Sequence, residues 1–211
     1  MVNEKSGFAS WRRSKMWVLG LFCLLASALP LARAAHAENP YFPSDAMATC
    51  KDAAFLRGWD RSSRQLAANF SAMEEAPLVA PADLEVYRFM LEGTWLPPIM
   101  FKFEITAQKE VTLHVKKLVS HVRLGKRNPM QASSIQLSPD QAAKVIPYIA
   151  AMHPWEGESC AVSHDTSDLP FVIAEAAKPG QYRAAVLYGY YPLGFFDWLK
   201  EMAKLAGLDL N

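Results

Sequence analysis

The fold of this chain is decided by the stretch IMFKFEITAQKEVTLHV, residues 99–115. Apolar side chains occupy every second position over residues 99–107, and the same period of two returns over residues 111–115. Alternation of this kind places one face of a strand on a core and the other face in water. Because only Gln108-Lys109-Glu110 separates the two runs, we expect a β-hairpin at this point.

Further strands are expected on both sides of this hairpin. Residues 84–91 precede it and complete a first group of three strands. Residues 171–176 and 182–190 form a second hairpin, joined by Lys178-Pro179-Gly180-Gln181, with Pro and Gly at the central positions of a type II turn. The polar and basic residues 120–134 indicate a loop.

Two helices are indicated in the second half of the chain. Ser138-Pro139-Asp140-Gln141 combines a serine N-cap, a proline at the first helical position and a glutamine for a capping box. Pro147 is expected to break or kink this helix, because proline lacks the backbone N–H. Apolar residues at helical spacing over 193–205 predict a C-terminal helix that ends at Gly207.

Two shorter helices are expected before the first strand. Ser44 or Asp45 can cap a helix that continues to Arg57, and Leu66, Phe70 and Met73 form an apolar stripe at helical spacing. The order of helices, three strands, helix, two strands and helix predicts one α+β domain over residues 38–211. Its mostly antiparallel sheet of about five strands packs against N-terminal, middle and C-terminal helices.

The first 37 residues are interpreted as a cleavable export signal. Arg12, Arg13 and Lys15 precede an apolar run of about 14 residues, and Ala35-His36-Ala37 carries alanine at both positions that a signal peptidase reads. A membrane-spanning helix needs about 20 apolar residues. We therefore expect cleavage after Ala37 and a periplasmic or secreted protein without a transmembrane segment. Retention of the signal as an anchor is the alternative.

The charge of the remaining chain excludes one class of partner. Five of the 22 basic residues and one of the 21 acidic residues precede residue 38, which leaves 17 basic and 20 acidic residues. Nucleic-acid-binding domains carry a clear basic excess, so we expect no nucleic-acid partner. The sequence contains no cofactor-binding motif, and we expect no cofactor.

Two cysteines, Cys50 and Cys160, remain once the export signal and its Cys23 are removed. In an exported protein, an isolated pair of cysteines is most simply a disulfide. A bridge that closes a loop of about 110 residues stabilises a fold by a few kcal/mol in the chain-entropy picture. Two unpaired thiols are the alternative.

The densest set of potential metal ligands lies in residues 153–168. His153, His164 and Asp165 could bind a divalent ion such as zinc if the fold brings them together. Their spacing matches no established metal motif, and a solvated polar loop explains the same residues. Ser163-His164-Asp165 is similar to a hydrolytic triad in composition alone, because adjacent side chains point in different directions.

Two further groups of residues are candidates for protein contacts. A basic patch that could meet an acidic envelope protein or anionic lipid comprises Lys116, Lys117, Arg123, Lys126 and Arg127. A lysine-containing sheet edge that discourages strand pairing is the alternative interpretation. Tyr190 and Tyr191 lie in an aromatic strand-to-helix junction, and they suit an interface if they are exposed.

Several segments of the second half resemble a known group of proteins. These segments are Tyr87-Arg88-Phe89, Asp168 with Phe171-Val172-Ile173-Ala174-Glu175, Gly180-Gln181-Tyr182-Arg183 and Tyr191-Pro192. Together they resemble small, uncharacterised exported proteins of Gram-negative bacteria, over residues 84–207. Tyr190-Tyr191 departs from the Arg-Trp pair that often precedes the proline step in that group. The resemblance implies the fold and export, and it implies no site residues.

Two hypotheses of function follow. The absence of a catalytic cluster favours a non-catalytic binding protein with a partner in the envelope, which would use the basic patch or the aromatic junction. The alternative is a metal-binding protein or a metal-dependent enzyme that uses the loop of residues 153–168.

Overall fold

Seven strands and three helices make up the part of the chain that the structure describes. This computed structural model describes residues 41–121, 128–152, 155–163 and 169–210. The expected export signal lies outside these residues and stays a prediction. The α+β class is confirmed. None of the helices in the described ranges is long and apolar enough to cross a membrane.

The described strands form one sheet. They are β1 (Leu84–Glu92), β2 (Ile99–Thr106), β3 (Val111–Leu118), β4 (Met130–Gln136), β5 (Cys160–Val162), β6 (Phe171–Lys178) and β7 (Gln181–Tyr188). Their order across the sheet is β4-β3-β2-β1-β6-β7-β5. Neighbouring strands are antiparallel except β5 and β7, which are parallel.

Both predicted hairpins are confirmed. β2 pairs with β3 so that Phe103 lies opposite Leu113, and β6 pairs with β7 across the two-residue turn Pro179-Gly180. Gly180 has a φ of 71°. A type II turn requires this left-handed conformation at its third residue, and glycine adopts it without steric cost.

The expected number of about five strands is wrong, because β4 and β5 are also present. The sequence indicates a loop over residues 120–134, yet Met130–Gln136 pairs with β3. This strand, MQASSIQ, has too few apolar residues for a period of two to be visible. β5 has three residues and depends on its parallel pairing with β7, a contact between distant segments that no local pattern predicts.

A single helix, α1 (Ala53–Ala72), replaces the two short helices expected near the N-terminus. It begins after Asp52, whose side chain accepts a hydrogen bond from Phe55 N at 2.8 Å. An aspartate at this position satisfies a backbone N–H that has no partner within the helix. Residues 44–49 form turns instead, so the expected caps at Ser44 and Asp45 are wrong.

The other two helices are present where the sequence predicts them, but the break expected at Pro147 does not occur. α2 (Pro139–Ala151) has the predicted capping box between Ser138 and Gln141. It continues through Pro147, which lies on the exposed side of the helix, where water can bond the carbonyl that proline leaves without a donor. α3 (Phe195–Leu205) is followed by Gly207 with a φ of 73°.

A packed layer lies on each face of the sheet, so the expectation that one whole face lies in water is wrong, although the side chains of Lys102, Glu104, His114 and Lys116 stay 20–30% exposed. On the helix-pair face, α2 and α3 pack against side chains such as Phe89, Phe101 and Phe103. On the N-terminal face, α1 and residues 41–50 cover Met90, Met100 and Ile173, which have no exposed surface. The polar residues that alternate along β2 and β3 point into this second layer.

Candidate functional site

Several connections between strands meet at one end of the sheet. The register places the end of β1 at Glu92 beside Phe171 of β6, and Phe171 beside Tyr188 at the end of β7. The end of β3 and the starts of β2 and β4 lie in the same direction. We name this region the Trp95 end, after the tryptophan in the β1–β2 connection. Loops that are positioned by a rigid sheet often carry binding residues.

Two adjoining hollows form a cleft at the Trp95 end. The first has a volume of about 420 Å³ and is lined by Glu92, Gly93, Thr94, His121, Leu169, Phe171 and Tyr188. The second has a volume of about 300 Å³ and is lined by Arg61, Ser62, Gln65, Leu66, Glu92 and Phe171. Glu92 and Phe171 line both hollows, so the Glu92 carboxylate lies where the two meet.

Two amides of α1 hold Glu92 in place. Asn69 is fully buried, and its Nδ2 donates to Glu92 Oε2 at 2.7 Å. Gln65 Nε2 donates to Asn69 Oδ1 at 3.2 Å, which fixes the orientation of the Asn69 amide. Residues four apart share one face of a helix, so α1 presents both amides to the end of β1. Burial raises the pKa of Glu92, and the Asn69 hydrogen bond and His121 oppose this shift.

His121 lines the first hollow of the cleft. Its Nε2 lies 2.9 Å from Gly93 O. A carbonyl oxygen only accepts hydrogen bonds, so this nitrogen carries a hydrogen and donates it to Gly93 O. Protonated His121 attracts the Glu92 carboxylate and favours its ionised form.

The chemistry of the cleft suits a cationic group. Glu92 supplies a half-buried negative charge, and the rings of Phe171 and Tyr188 line the same hollow. Carboxylates and aromatic rings both attract ammonium and guanidinium groups, and the attraction is stronger where water is partly excluded. A positively charged group of a ligand or of a partner protein can therefore pair with Glu92 in the first hollow, whereas Arg61 makes the second hollow less favourable for a cation.

Large apolar side chains are exposed around the same end. Seven such side chains are exposed in the described ranges, and five lie on connections that leave the Trp95 end: Trp95, Val119, Leu169, Tyr190 and Leu193. Trp95 is 85% exposed and Tyr190 is 60% exposed. Single exposed apolar residues are common on proteins, whereas a concentration of them indicates a contact surface.

A separate group of charged residues is enclosed beneath α1 and cannot contact a ligand directly. The Arg88 side chain is 1% exposed, and its Nε donates to Glu175 Oε2 at 2.8 Å. Its guanidinium also lies 4.2 Å from the centre of the Phe70 ring. Glu175 Oε1 accepts from Tyr182 Oη at 2.8 Å. Burial raises the pKa of Glu175, while Arg88 and Tyr182 oppose the shift.

Glu75 extends this buried network to the lysines of the sheet. At the end of α1, Glu74 has a φ of 57°, and Glu75 N donates to Phe70 O at 2.9 Å, which is the pattern of a Schellman motif. The turn directs Glu75 onto the sheet, where its carboxylate lies 2.6 Å from Lys116 Nζ and 3.8 Å from Lys102 Nζ. The network therefore fastens α1 and the segment after it to the N-terminal face.

The residues of the predicted basic patch do not share one environment. Lys116 faces Glu75 beneath α1, whereas Lys117 Nζ donates to Asp209 O at 2.7 Å. Both lysines belong to β3, which β4 separates from the sheet edge, so they do not protect that edge from strand pairing. Arg123, Lys126 and Arg127 lie outside the described residues. A role of these five residues in binding stays a prediction.

The two tyrosines of the aromatic junction differ in their surroundings. Tyr190 is exposed and belongs to the apolar group of the Trp95 end. Tyr191 is half-buried, its Oη donates to Pro170 O, and its ring stacks on that of Phe195 at 6.1 Å between centres. Of the two, Tyr190 is therefore the side chain available for a partner.

The proposed metal ligands His153, His164 and Asp165 lie outside the described residues, so this hypothesis stays a prediction. In the parts of the chain that the structure does describe, no three His, Cys, Asp or Glu side chains are placed to hold a metal ion. The described part of the same loop makes structural contacts. Ser159 N donates to Thr49 Oγ1 at 2.9 Å.

The predicted disulfide between Cys50 and Cys160 is confirmed. Their Cα atoms lie 5.0 Å apart, across a sequence separation of 110 residues. Cys50 belongs to the turns before α1 and Cys160 to β5, so the bridge fastens the N-terminal layer to one edge of the sheet. Lys51 Nζ and Glu158 Oε1, 2.6 Å apart, form an exposed ion pair beside it.

The residues of the cleft are absent from the candidates that the sequence suggests. Asn69 and Glu92 are 23 positions apart, and only the packing of α1 on β1 brings them together. Trp95 is the exception, because its neighbours give a local signal. Gly93 on one side and Pro97-Pro98 on the other indicate a surface connection, and a tryptophan there is outside any strand or helix.

Comparison with known proteins assigns no family to this chain. No protein-family model matches it, and no curated protein is significantly similar to it.

Proposed function

We propose that this chain is an exported, non-catalytic binding protein that holds a partner protein of the bacterial envelope at its Trp95 end. The observation that carries the proposal is the concentration of exposed apolar side chains on the connections around the cleft. Tryptophan and tyrosine are enriched among the residues that contribute most to protein–protein binding. Trp95 and Tyr190 are the exposed examples here.

The cleft adds a requirement on the charge of the partner. The Glu92 carboxyl is half-buried and lines the same hollow as the rings of Phe171 and Tyr188. A lysine or arginine of the partner that entered the cleft would pair with this carboxylate, while neighbouring apolar side chains would contact Trp95. We expect the partner to present a basic residue within an apolar surface.

Two observations support placement outside the cytoplasm. Residues 12–37 have the order of charges, apolar run and small residues that export signals have. The Cys50–Cys160 disulfide is of the kind that persists in oxidising compartments such as the periplasm. The resemblance to small exported proteins of Gram-negative bacteria points to the same location.

The proposal is tested by affinity capture with matched variants. The tagged full chain, expressed with its export signal, is incubated with envelope extract, and bound proteins are identified by mass spectrometry. One variant carries Trp95→Ser and Val119→Ser at the Trp95 end. The control carries Leu56→Ser and Val79→Ser, two exposed apolar residues located elsewhere. All four substitutions are at exposed positions, so both variants are expected to fold.

We expect the parent and the control to retain one partner in near-equal amount, and the Trp95→Ser/Val119→Ser variant to lose it. With the purified partner, loss of Trp95 should weaken binding by about 30-fold or more, since contacts of this kind contribute about 2 kcal/mol or more. Equal capture by both variants, or a partner lost with the control variant alone, would contradict the proposal.

A further inference from the structure

β4 forms one edge of the sheet and shows none of the usual protection against strand pairing. Its outer side has no neighbouring strand in the described chain, and Gln131, Ala132, Ser134 and Gln136 are exposed. Native proteins protect sheet edges with charged residues, prolines, bulges or very short strands. The opposite edge follows this rule, because β5 has three residues.

The backbone groups that face this outer side follow from the hydrogen bonds to β3. Leu137 N donates to Val111 O at 2.9 Å, and Val119 N donates to Pro129 O at 2.9 Å. In an antiparallel pair, such bonded positions alternate with unbonded ones. With the observed register, the residues bonded to β3 are Gln131, Ser133 and Ile135. Those whose N–H and C=O point outward are Met130, Ala132, Ser134 and Gln136.

The strand also lacks charge. From Asn128 to Ser138 the chain contains no acidic, basic or histidine residue. The pairing with β3 is continuous from Met130 to Gln136, without a bulge. Pro129 and Pro139 lie outside the strand at either end, so neither interrupts its outer side. Seven residues of regular, neutral edge are therefore open to another strand.

We propose that this edge binds the β4 edge of a second copy of the same chain, and that the two sheets join antiparallel about a twofold axis at Ser133. In this register Ala132 lies opposite Ser134, and Met130 lies opposite Gln136. All four outward residues of each strand then exchange both of their backbone bonds with the other copy. Ser133 lies opposite its own symmetry mate in an unbonded pair.

A second copy of this strand is complementary to the edge. The outward groups lie symmetrically about Ser133, so an identical strand turned by 180° is complementary to them at every position. The absence of charge on the strand means that two copies do not repel each other along their contact. Such an interface is small, because it rests on a single pair of strands, so we expect an equilibrium between monomer and dimer that depends on concentration.

The register is tested by a cysteine on the proposed twofold axis. Ser133→Cys places two thiols in an unbonded pair, whose Cα atoms lie about 4.5 Å apart in antiparallel sheets, within the range that disulfides span. With copper–phenanthroline as oxidant, we expect the full chain to form a covalent dimer on a non-reducing gel. The control is Gln131→Cys, which faces Ile135 of the other copy and lies far from its own mate. After oxidation, Gln131→Cys and Ser133→Ala should both migrate as monomers on the same gel, because neither forms the intermolecular disulfide.

A second measurement does not depend on chemical cross-linking. Ser134→Pro removes an outward N–H and no bond to β3, so the fold should be retained, as circular dichroism and the melting temperature would show. Two intermolecular bonds are lost in the dimer, and its dissociation constant by analytical ultracentrifugation should rise about tenfold or more. Ser134→Ala keeps the N–H and should match the parent.

Three results would overturn the proposal. The first is a parent chain that sediments as a monomer at every concentration, together with a Ser133→Cys variant that does not cross-link. The second is equal cross-linking of Ser133→Cys and Gln131→Cys, which would show contact without this register. A dimer that Ser134→Pro leaves unchanged would place the interface elsewhere and would also overturn it.

Discussion

The two faces of the sheet are both buried, but they are held in different ways. The helix-pair face is covered by apolar and aromatic side chains, with Phe89, Phe103 and Trp198 in mutual ring contact. The N-terminal face combines apolar residues with the buried network of Arg88, Glu175 and Glu75. Within the described ranges, only this second face has a disulfide, between Cys50 and Cys160.

The two layers therefore depend on their contacts in different ways. An apolar face accepts many arrangements of similar volume, because burial of apolar surface has no direction. A buried charge needs its partner at hydrogen-bond distance, and the loss of one partner leaves the other uncompensated. We therefore expect the N-terminal layer to be the more specific of the two and the more sensitive to pH and to redox conditions.

The largest effect is expected from Arg88→Ala on the N-terminal face. The substitution leaves Glu175 buried without its cation, and we expect a loss of about 3–5 kcal/mol in the free energy of unfolding at pH 7. Without Arg88, the pKa of Glu175 rises further. The Glu175 carboxyl then binds a proton more readily in the folded protein than in the unfolded protein. Stability should therefore recover as the pH is lowered from 7 to 5, measured by urea unfolding.

Phe103→Ala is the matched change on the helix-pair face. It removes a buried ring and should also cost about 3–5 kcal/mol. Because no buried charge loses its partner, the cost should be the same at pH 5 and at pH 7. If Arg88→Ala lowered the free energy of unfolding by the same amount at pH 5 and at pH 7, the two faces would not differ in their sensitivity to pH.

The next effect is expected from the disulfide. Cys50→Ala with Cys160→Ala should lower the free energy of unfolding by about 2–5 kcal/mol. Hydrogen exchange should then increase first in residues 41–52 and in β5, because the bridge joins these two segments. The strands of the helix-pair face should keep their protection until global unfolding. A uniform rise in exchange over the whole sheet would contradict this separation of the layers.

A smaller effect, of opposite sign, is expected at the end of α1. Glu74 has a φ of 57°, a conformation that costs a non-glycine residue about 1 kcal/mol or more. Glu74→Gly should therefore raise the free energy of unfolding by about 0.5–1 kcal/mol. Lys109→Gly, in the β2–β3 turn with a φ of 65°, is the matched control away from the charged network. If Glu74→Gly lowered the free energy of unfolding while Lys109→Gly raised it, the Glu74 side chain itself would support the charged network.

The smallest effect on stability is expected at Glu92 in the cleft. Burial raises the pKa of this carboxyl from its ordinary value of 4.5, so the folded state loses stability as the pH rises through that range. Glu92→Gln keeps an acceptor for Asn69 and removes the charge. It should stabilise the protein at pH 7, and the gain should vanish below pH 4.5, as measured by thermal unfolding. Binding of a cationic partner should weaken in the same variant.

The cleft was beyond what the sequence could reveal, and the reason lies in particular residues. Asn69, Glu92 and His121 come from a helix, a strand end and a loop, and each has an ordinary surface residue's signature in the sequence. Local pattern cannot predict which distant side chains meet. Trp95 is the exception, because the glycine and prolines around it are enough to indicate an exposed aromatic residue in a turn.

Elements whose signals are local are predictable from the sequence. The alternation over residues 99–115, the capping box at Ser138 and the turn at Pro179-Gly180 each depend on a few neighbouring residues, and each is present in the structure. The isolated pair of cysteines was enough to predict their bridge.

What covers the second face of the sheet depends on contacts between distant segments. The polar residues of β2 and β3 indicate contact with water, but Lys102 and Lys116 pair with Glu75 from the end of α1. The same holds for β4 and β5, which exist because a neighbouring strand supplies their hydrogen bonds. A polar side chain is satisfied equally by water or by a buried partner, and that choice is made by residues far away in the chain.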